Sequence, residues 1–192
     1  MYPVDQYSSN GFASPIRVME ESRAAELADR VQDLRKTDPL LAERALGTNC
    51  HLLFPWLHEL THLTKILDEV EKLIGPDILL WSASFFIKDP GSKSFVSWHQ
   101  DSTYWGLKPL EIVTAWLAFT PSKTSNGCMQ VIPGSHLRGQ SAHKDTFSED
   151  NLPPQDWQKL TRLCHSYIPF AVAHRFAYLV FNNGSKFRKS QK

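Results

Sequence analysis

Phe95-Val96-Ser97-Trp98-His99-Gln100-Asp101 is the stretch of sequence on which the interpretation of this chain depends. It begins as a β-rich run and ends in a His-x-Asp pair. In a strand, residues i and i+2 point to the same face, so we expect His99 and Asp101 to project together. With a second His from another strand, such a pair forms the facial triad of non-haem Fe(II) oxygenases, which leaves coordination positions open. The stretch therefore predicts a metal site.

Composition restricts the class of protein only broadly. The chain has 192 residues, of which 42% are hydrophobic, and a formal net charge of +1, so we expect residues 1–192 to form a single domain with its own core. This charge gives no electrostatic reason to expect nucleic acid or an anionic membrane as a partner. Three widely spaced cysteines indicate neither a disulfide framework nor a thiolate zinc site. We expect no membrane span and a cytoplasmic location.

Helical patterns dominate residues 16–75, which we interpret as an N-terminal helical layer. The preceding residues, 1–15, are rich in Ser, Asn, Gly and Pro and predict an irregular segment. Residues 20–35 have the spacing of an amphipathic helix, and residues 37–49 indicate a loop followed by a short turn. In residues 56–74, apolar side chains recur at steps of three and four up to a Gly-Pro pair, which predicts one long helix.

The predicted long helix contains His58-Glu59-Leu60-Thr61-His62, which matches the His-Glu-x-x-His signature of zinc proteases. The alternative function is therefore a zinc metalloprotease that uses His58, Glu59 and His62. A third ligand is expected about twenty residues on, but residues 78–87 contain no His or acidic residue. Since the neighbouring leucines occupy core positions, we expect both His side chains on the polar side of the helix.

Short β-rich runs follow the helical layer. Residues 78–87, 95–98, 113–119 and 129–132 are separated by turn signals rich in Pro, Gly and Asn. Short strands at this spacing after a helical layer are typical of a sandwich or jelly roll rather than of alternating β-α-β units. The predicted fold class is therefore α+β.

Four segments of this region closely resemble the phytanoyl-CoA dioxygenase family, and the resemblance covers roughly residues 7–140. They are Ile87-Lys88-Asp89-Pro90-Gly91, Ser97-Trp98-His99-Gln100-Asp101-Ser102-Thr103-Tyr104-Trp105, Thr114-Ala115-Trp116-Leu117-Ala118 and Asn126-Gly127-Cys128-Met129-Gln130-Val131-Ile132-Pro133-Gly134-Ser135-His136. The resemblance implies a double-stranded β-helix, a cupin-like jelly roll, with residues 76–150 as the first part of its core. His136, in the Pro-Gly-Ser-His turn, is expected to be structural.

The same resemblance implies a dioxygenase, an oxidoreductase that needs Fe(II) and uses 2-oxoglutarate and O2 as co-substrates. Such an enzyme hydroxylates a small or lipid-like organic substrate and releases succinate and CO2. By motif, His99 and Asp101 would be catalytic metal ligands, Lys88 would face the acidic 2-oxoglutarate, and Gln100 and Trp116 would line its pocket. From the residues alone, a strand-end lysine in water is the favoured interpretation of Lys88, whereas Trp116 could equally be a core side chain.

The tail, residues 151–192, departs from the family pattern. The family's second metal His and its 2-oxoglutarate Arg are not identified there, so the third metal ligand is unknown, with His174 as the remaining candidate. We therefore expect a β-helix that is incomplete at its C-terminal end. A catalytically incomplete, truncated family member, non-enzymatic or poorly folded, stays open as a further alternative. The sequence predicts neither the substrate nor the oligomeric state.

Overall fold

The computed structural model describes residues 3–93, 95–101 and 112–141 and the backbone of residues 176–183. A series of helices precedes a three-stranded sheet. The helices are α1 (Pro3–Asn10), α2 (Glu21–Thr37), α3 (Pro39–Gly47), α4 (Pro55–Thr61) and α5 (Thr64–Ile74), and the strands are β1 (Ile78–Phe86), β2 (Ile112–Ala118) and β3 (Phe176–Asn183). Within these ranges, no helix is both long enough and apolar enough to cross a membrane.

The three strands form a sheet with the order β1-β3-β2, in which β3 pairs antiparallel with both neighbours. The middle strand therefore comes from the tail, where the sequence analysis predicted no strand. A signal was present, because the run from Phe176 to Phe181 is rich in aromatic and β-branched residues.

The two faces of the sheet have different neighbours. Alternate residues of β1 and β2 enter the hydrophobic core, among them Ala83 and Leu117, which are 1% and 5% exposed. This face packs against the helices, because the same core cluster includes Val31 of α2 and Val70 of α5. Residues of the opposite parity point away from the helical layer. The opposite face is therefore the one on which a site can be built.

The long helix predicted over residues 56–74 is wrong in one respect, since it is broken into α4 and α5. The break follows Thr61, where His62 has φ −107° and ψ 12°. The side-chain oxygen of Thr61 and Nδ1 of His62 both contact the carbonyl oxygen of His58, at 2.7 and 2.9 Å. Such local side-chain contacts compete with the helical backbone bonds and end the helix.

Two segments expected to be irregular are helical. In α1, the hydroxyls of Ser8 and Ser9 bond back to carbonyl oxygens one turn earlier, each at 2.9 Å. In α3, Pro39 occupies the first turn, and the Asp38 side chain accepts a hydrogen bond from the Leu41 N–H at 3.0 Å. The Asp38 cap and Pro39 are ordinary ways of starting a short helix. The helix predicted over residues 20–35 is confirmed as α2.

Two of the predicted strands are not formed. Residues 95–98 have only an isolated bridge at Phe95, and residues 129–132 have no strand structure. Val131 and Ile132 are each 42% exposed, and in the described residues no strand pairs with them. A β-rich composition alone does not make a strand, because the ladder needs a neighbour. The predictions for residues 78–87 and 113–119 are confirmed as β1 and β2.

Candidate metal centre

His99 and Asp101 meet as the i, i+2 spacing predicted. Nε2 of His99 lies 3.0 Å from Oδ1 of Asp101, and the two side chains are 25% and 28% exposed. Nδ1 of His99 lies 2.7 Å from the carbonyl oxygen of Ser97. Because a carbonyl can only accept, this contact places a proton on Nδ1 and turns Nε2 toward the carboxylate.

The contact between Nε2 of His99 and the Asp101 carboxylate needs a positive charge. If Nδ1 carries the only proton, Nε2 and Oδ1 face each other with lone pairs, so a proton or a metal cation has to lie at that point. Burial lowers the pKa of His99, but the hydrogen bond to Asp101, the charge of that carboxylate and the Ser97 carbonyl outweigh it and raise the pKa above its ordinary value. A proton on Nε2, or a metal cation in its place, therefore satisfies both groups.

The spacing of the two groups suits a metal ion. Two ligands at right angles, each about 2.1 Å from a metal, lie about 3.0 Å from each other, which matches the distance between Nε2 and Oδ1. A metal-binding His commonly donates its other N–H to a carbonyl, as His99 does to Ser97. Imidazole and carboxylate together suit first-row transition metals such as iron. The donor set and its spacing thus fit an iron ligand pair.

Thr114 of β2 holds the other oxygen of the carboxylate. Its hydroxyl donates to Oδ2 of Asp101 at 2.8 Å. The sequence analysis did not single out Thr114, although it lies two residues before Trp116 and so shares its face of β2. The opposite face of β2 lies in the core, because Val113 and Leu117 belong to the core cluster. The metal pair adjoins the sheet face that points away from the helices.

Trp116 was predicted to line the co-substrate pocket. Its ring stacks on Phe86 of β1, with centroids 6.2 Å apart and planes inclined by 17°. The two rings meet although β3 lies between their strands. Trp116 is half-buried, so it forms part of an aromatic surface on the same face as Thr114. Its contact with 2-oxoglutarate stays a prediction.

Lys88 lies two residues beyond Phe86, at the end of β1. It is half-buried, and burial lowers the pKa of its amine. Its neighbour Ile87 packs against the core, so by alternation Lys88 belongs to the other side of the chain. In the described part of the chain it has no ion pair. Its predicted role toward an acidic co-substrate remains a prediction.

Gln100 has a definite structural role. Its Nε2 donates to the carbonyl oxygen of Gly139 at 2.9 Å, and its Oε1 accepts from the N–H of Ser141 at 2.7 Å. Both ends of the Gln100 amide thus tie the segment that carries His99 and Asp101 to residues 139–141. The prediction that Gln100 lines the 2-oxoglutarate pocket is untested by these contacts.

Helix α1 lies near the metal pair, which the sequence did not indicate. Burial raises the pKa of Tyr7, and the charge of Asp101 raises it further. The same helix is bound by the Pro-Gly-Ser-His turn, because Nε2 of His136 lies 3.0 Å from the carbonyl oxygen of Ser8. This contact confirms a structural role for His136.

The His-Glu-x-x-His motif does not assemble a zinc site among the residues that the structure describes. The rings of His58 and His62 lie close, with centroids 4.2 Å apart, and both side chains are exposed as predicted. Within the same residues, no group of three His, Cys, Asp or Glu side chains is placed to hold a metal. Nδ1 of His62 is also engaged with the His58 carbonyl. His174, the candidate third ligand at the iron pair, lies outside the described residues.

Comparison with known proteins identifies the family. The sequence model described as phytanoyl-CoA dioxygenase (PhyH) matches residues 7–172. The chain belongs to the phytanoyl-CoA dioxygenase family. Family membership thus extends past the motifs of residues 87–136 into the tail. It agrees with the sequence resemblance.

Curated members of the phytanoyl-CoA dioxygenase family are similar over part of their length. Phytanoyl-CoA dioxygenase domain-containing protein 1 of Danio rerio is 34% identical over 115 residues, which cover 58% of this chain and 39% of that protein. The human protein named phytanoyl-CoA dioxygenase, peroxisomal, is 35% identical over 85 residues, 42% of this chain and 25% of that one. The matches therefore span well under half of these relatives.

Solved structures show a similar fold. The apo form of the non-heme monooxygenase ThoJ has a TM-score of 0.67 and 25% identity, covering 92% of this chain and 68% of that one. Its nickel complex has a TM-score of 0.64 and 26% identity, with the same coverage. CytC3, solved with Fe(II) and alpha-ketoglutarate, is 18% identical with a TM-score of 0.62, and 94% of this chain and 76% of that one are covered. This chain thus shares the fold of non-heme oxygenases.

Proposed function

We propose that this chain is an Fe(II)- and 2-oxoglutarate-dependent dioxygenase that hydroxylates a small or lipid-like organic substrate and releases succinate and CO2. The observation that carries the proposal is the 3.0 Å contact between Nε2 of His99 and Oδ1 of Asp101. That contact needs a proton or a metal cation between the two atoms, and its length is compatible with the spacing of two adjacent metal ligands. His99 and Asp101 are therefore the proposed metal ligands, with a third ligand still to be identified.

The aromatic surface beside the proposed metal has a simple role. A bound iron ion supplies the O2 chemistry that side chains lack. Trp116 and Phe86 form a flat apolar surface on the face that carries Thr114. Such a surface excludes water and strengthens each electrostatic contact at the site.

Lys88 is the proposed partner of the acidic co-substrate. 2-Oxoglutarate carries two carboxylates, and an enclosed anion is stable only beside a cation or strong donors. Lys88 is half-buried, burial lowers the pKa of its amine, and among the described residues it has no ion pair. Binding a carboxylate there offsets the cost of that burial. Gln100 and Trp116 are the proposed neighbours.

The sheet is proposed to be part of a double-stranded β-helix. In support, β1, β3 and β2 form an antiparallel sheet covered on one face by helices, and the ThoJ structures are similar over 92% of the chain. The site face is then the inside of the β-helix. One domain over residues 1–192 and a cytoplasmic location complete the proposal.

Similar proteins support the same chemistry. The human relative is named a phytanoyl-CoA dioxygenase, and ThoJ, 26% identical, is named a non-heme monooxygenase and was solved with nickel. Nickel is a frequent substitute for iron because both accept imidazole and carboxylate ligands. Both names concern other proteins, so they favour the reaction class and leave the substrate open.

Turnover of 2-oxoglutarate tests the proposal without knowledge of the substrate. Purified protein is incubated with Fe(II), ascorbate, O2 and 2-oxoglutarate, and succinate is measured by proton NMR. We expect slow, uncoupled succinate formation that is lost in His99→Ala and kept in His58→Ala, since His58 is exposed on α4. Succinate formation that His99→Ala leaves unchanged would exclude His99 as a ligand. No succinate from folded protein would favour the catalytically incomplete alternative.

A further inference from the structure

The two oxygens of the Asp101 carboxylate are held from different parts of the fold. Oδ1 faces His99 at 3.0 Å, and Oδ2 accepts a hydrogen bond from Thr114 at 2.8 Å. Asp101 follows residues 95–100, where the only bridge is at Phe95. Thr114 lies within β2 and is paired with Val180 of β3. The Thr114 hydroxyl is therefore held in place by the sheet, whereas the Asp101 carboxylate lies on a segment that is not part of this sheet.

A carboxylate turns easily about its last torsion, because an sp³–sp² torsion is broad and roughly two-fold. A hydrogen bond to one oxygen limits this rotation and fixes the direction in which the other oxygen points. In Asp101, the bond from Thr114 does so, with Oδ1 turned toward Nε2 of His99. Loss of a group that holds a metal ligand in this way commonly weakens metal affinity by about 10- to 100-fold.

We propose that Thr114 is a positioning residue that orients Asp101 for metal binding. This inference rests on the proposed metal site of His99 and Asp101. The Thr114 hydroxyl is not itself a ligand. It fixes which oxygen of the Asp101 carboxylate faces the metal. Since the contact is charge-assisted, it is stronger than a hydrogen bond between neutral groups.

The test compares matched substitutions of two threonines. Thr114→Val keeps the shape and the strand preference but removes the hydroxyl, whereas Thr114→Ser keeps the hydroxyl. Thr120→Val is the control, because the Thr120 hydroxyl is buried without a hydrogen-bond partner in the described part of the chain. Affinity for Co(II) is measured anaerobically by calorimetry, and the Co(II) visible spectrum reports the ligand geometry. Thermal melting checks that each variant is folded.

We expect Thr114→Val to weaken Co(II) binding by about 10- to 100-fold and to change its spectrum. Thr114→Ser is expected to stay within about three-fold of the unchanged protein, and Thr120→Val to bind equally well. In an Asp101→Ala background, Thr114→Val should have no further effect. A loss of stability alone would not change the Co(II) spectrum, and it would appear in the Asp101→Ala background as well. The spectrum and the double variant therefore separate positioning from a general structural role.

Equal Co(II) affinity and equal spectra for Thr114→Val and the unchanged protein would overturn the role of Thr114 and leave the proposed function standing. Failure of the unchanged, folded protein to bind Co(II) would overturn both proposals. If Thr114→Val does not fold, Thr114→Ala takes its place in the comparison with Thr114→Ser.

Discussion

His136 and Ser8 are joined by a hydrogen bond of 3.0 Å between Nε2 and the carbonyl oxygen, although 128 residues separate them. Next to it, the N–H of Gly134 donates to the carbonyl oxygen of Asn10 at 2.8 Å. The Pro-Gly-Ser-His turn therefore holds the C-terminal end of α1. Because α1 carries Tyr7, whose pKa is raised by the charge of Asp101, this turn keeps α1 beside Asp101.

Replacement of Gly11 by Ala is expected to destabilise the protein, because the added methyl group would clash with the ring of His136. Gly11 has φ +83°, and a Cβ there would lie 2.6 Å from Nδ1 of His136. Gly91 has φ +79° with open space around it, so Gly91→Ala costs only the backbone term of about 1–2 kcal/mol. Urea unfolding should show a larger loss for Gly11→Ala.

The clash in Gly11→Ala can be removed by a second substitution. In a His136→Ala background, Gly11→Ala should cost no more than Gly91→Ala does. Equal losses for the two single alanine variants would mean that His136 does not pack against Gly11 as described.

Arg35→Lys is expected to cost about 1 kcal/mol, the upper end for an ion pair near the surface. Arg35 of α2 holds Asp89, in the turn after β1, through two bonds of 2.9 and 2.8 Å, and lysine cannot reproduce this paired geometry. Arg23→Lys is the control, because Arg23 pairs with Glu26 of the same helix through a single nitrogen at 2.9 Å. In urea unfolding, 1 M salt should reduce the cost of Arg35→Lys. A cost no larger than that of Arg23→Lys would contradict the paired contact.

The thiol of Cys50 is expected to resist alkylation in the folded protein. It is 2% exposed, and burial raises its pKa to about 12. At pH 8 only about one thiol in ten thousand is then the reactive thiolate. Iodoacetamide followed by peptide mass spectrometry should label Cys128, which is half-buried, before Cys50. Labelling of Cys50 at the rate of an unfolded control would contradict its burial.

Lys88→Ala is expected to weaken binding of 2-oxoglutarate to the iron-loaded protein by about ten-fold or more, the cost of a lost charge-assisted hydrogen bond. Lys88→Arg should retain most of the affinity. Lys93, which is exposed five residues further on, provides the control Lys93→Ala. Calorimetric titration under nitrogen measures each affinity. Equal weakening by both alanine variants would indicate a non-specific charge effect.

The contact between His99 and Asp101 was predictable because it depends on local geometry. His99 and Asp101 are two residues apart, so an extended chain turns both to one side whether or not a ladder forms. The hydrogen bond from Thr114 to Asp101 was harder to predict. Thr114 lies thirteen residues away from Asp101, on β2, and its only local signal is that it shares a strand face with Trp116.

Other features depend on interactions that a local pattern does not contain. The helix break after Thr61 results from side chains that bond to the His58 carbonyl, which periodicity cannot reveal. The central position of β3 results from pairing with strands about 60 and 100 residues earlier. Conversely, Met129 and its neighbours have strand-like composition but remain exposed, because a strand needs a neighbour to form.

The most direct test of the proposed metal centre is an anaerobic titration with Fe(II) and 2-oxoglutarate, followed through the weak visible charge-transfer band of the chelated complex. We predict a saturable band in the unchanged protein that is lost in Asp101→Ala and in His99→Ala and kept in His58→Ala. Absence of the band in protein with a normal thermal transition, or a band that survives Asp101→Ala, would contradict the assignment of His99 and Asp101 as an iron site.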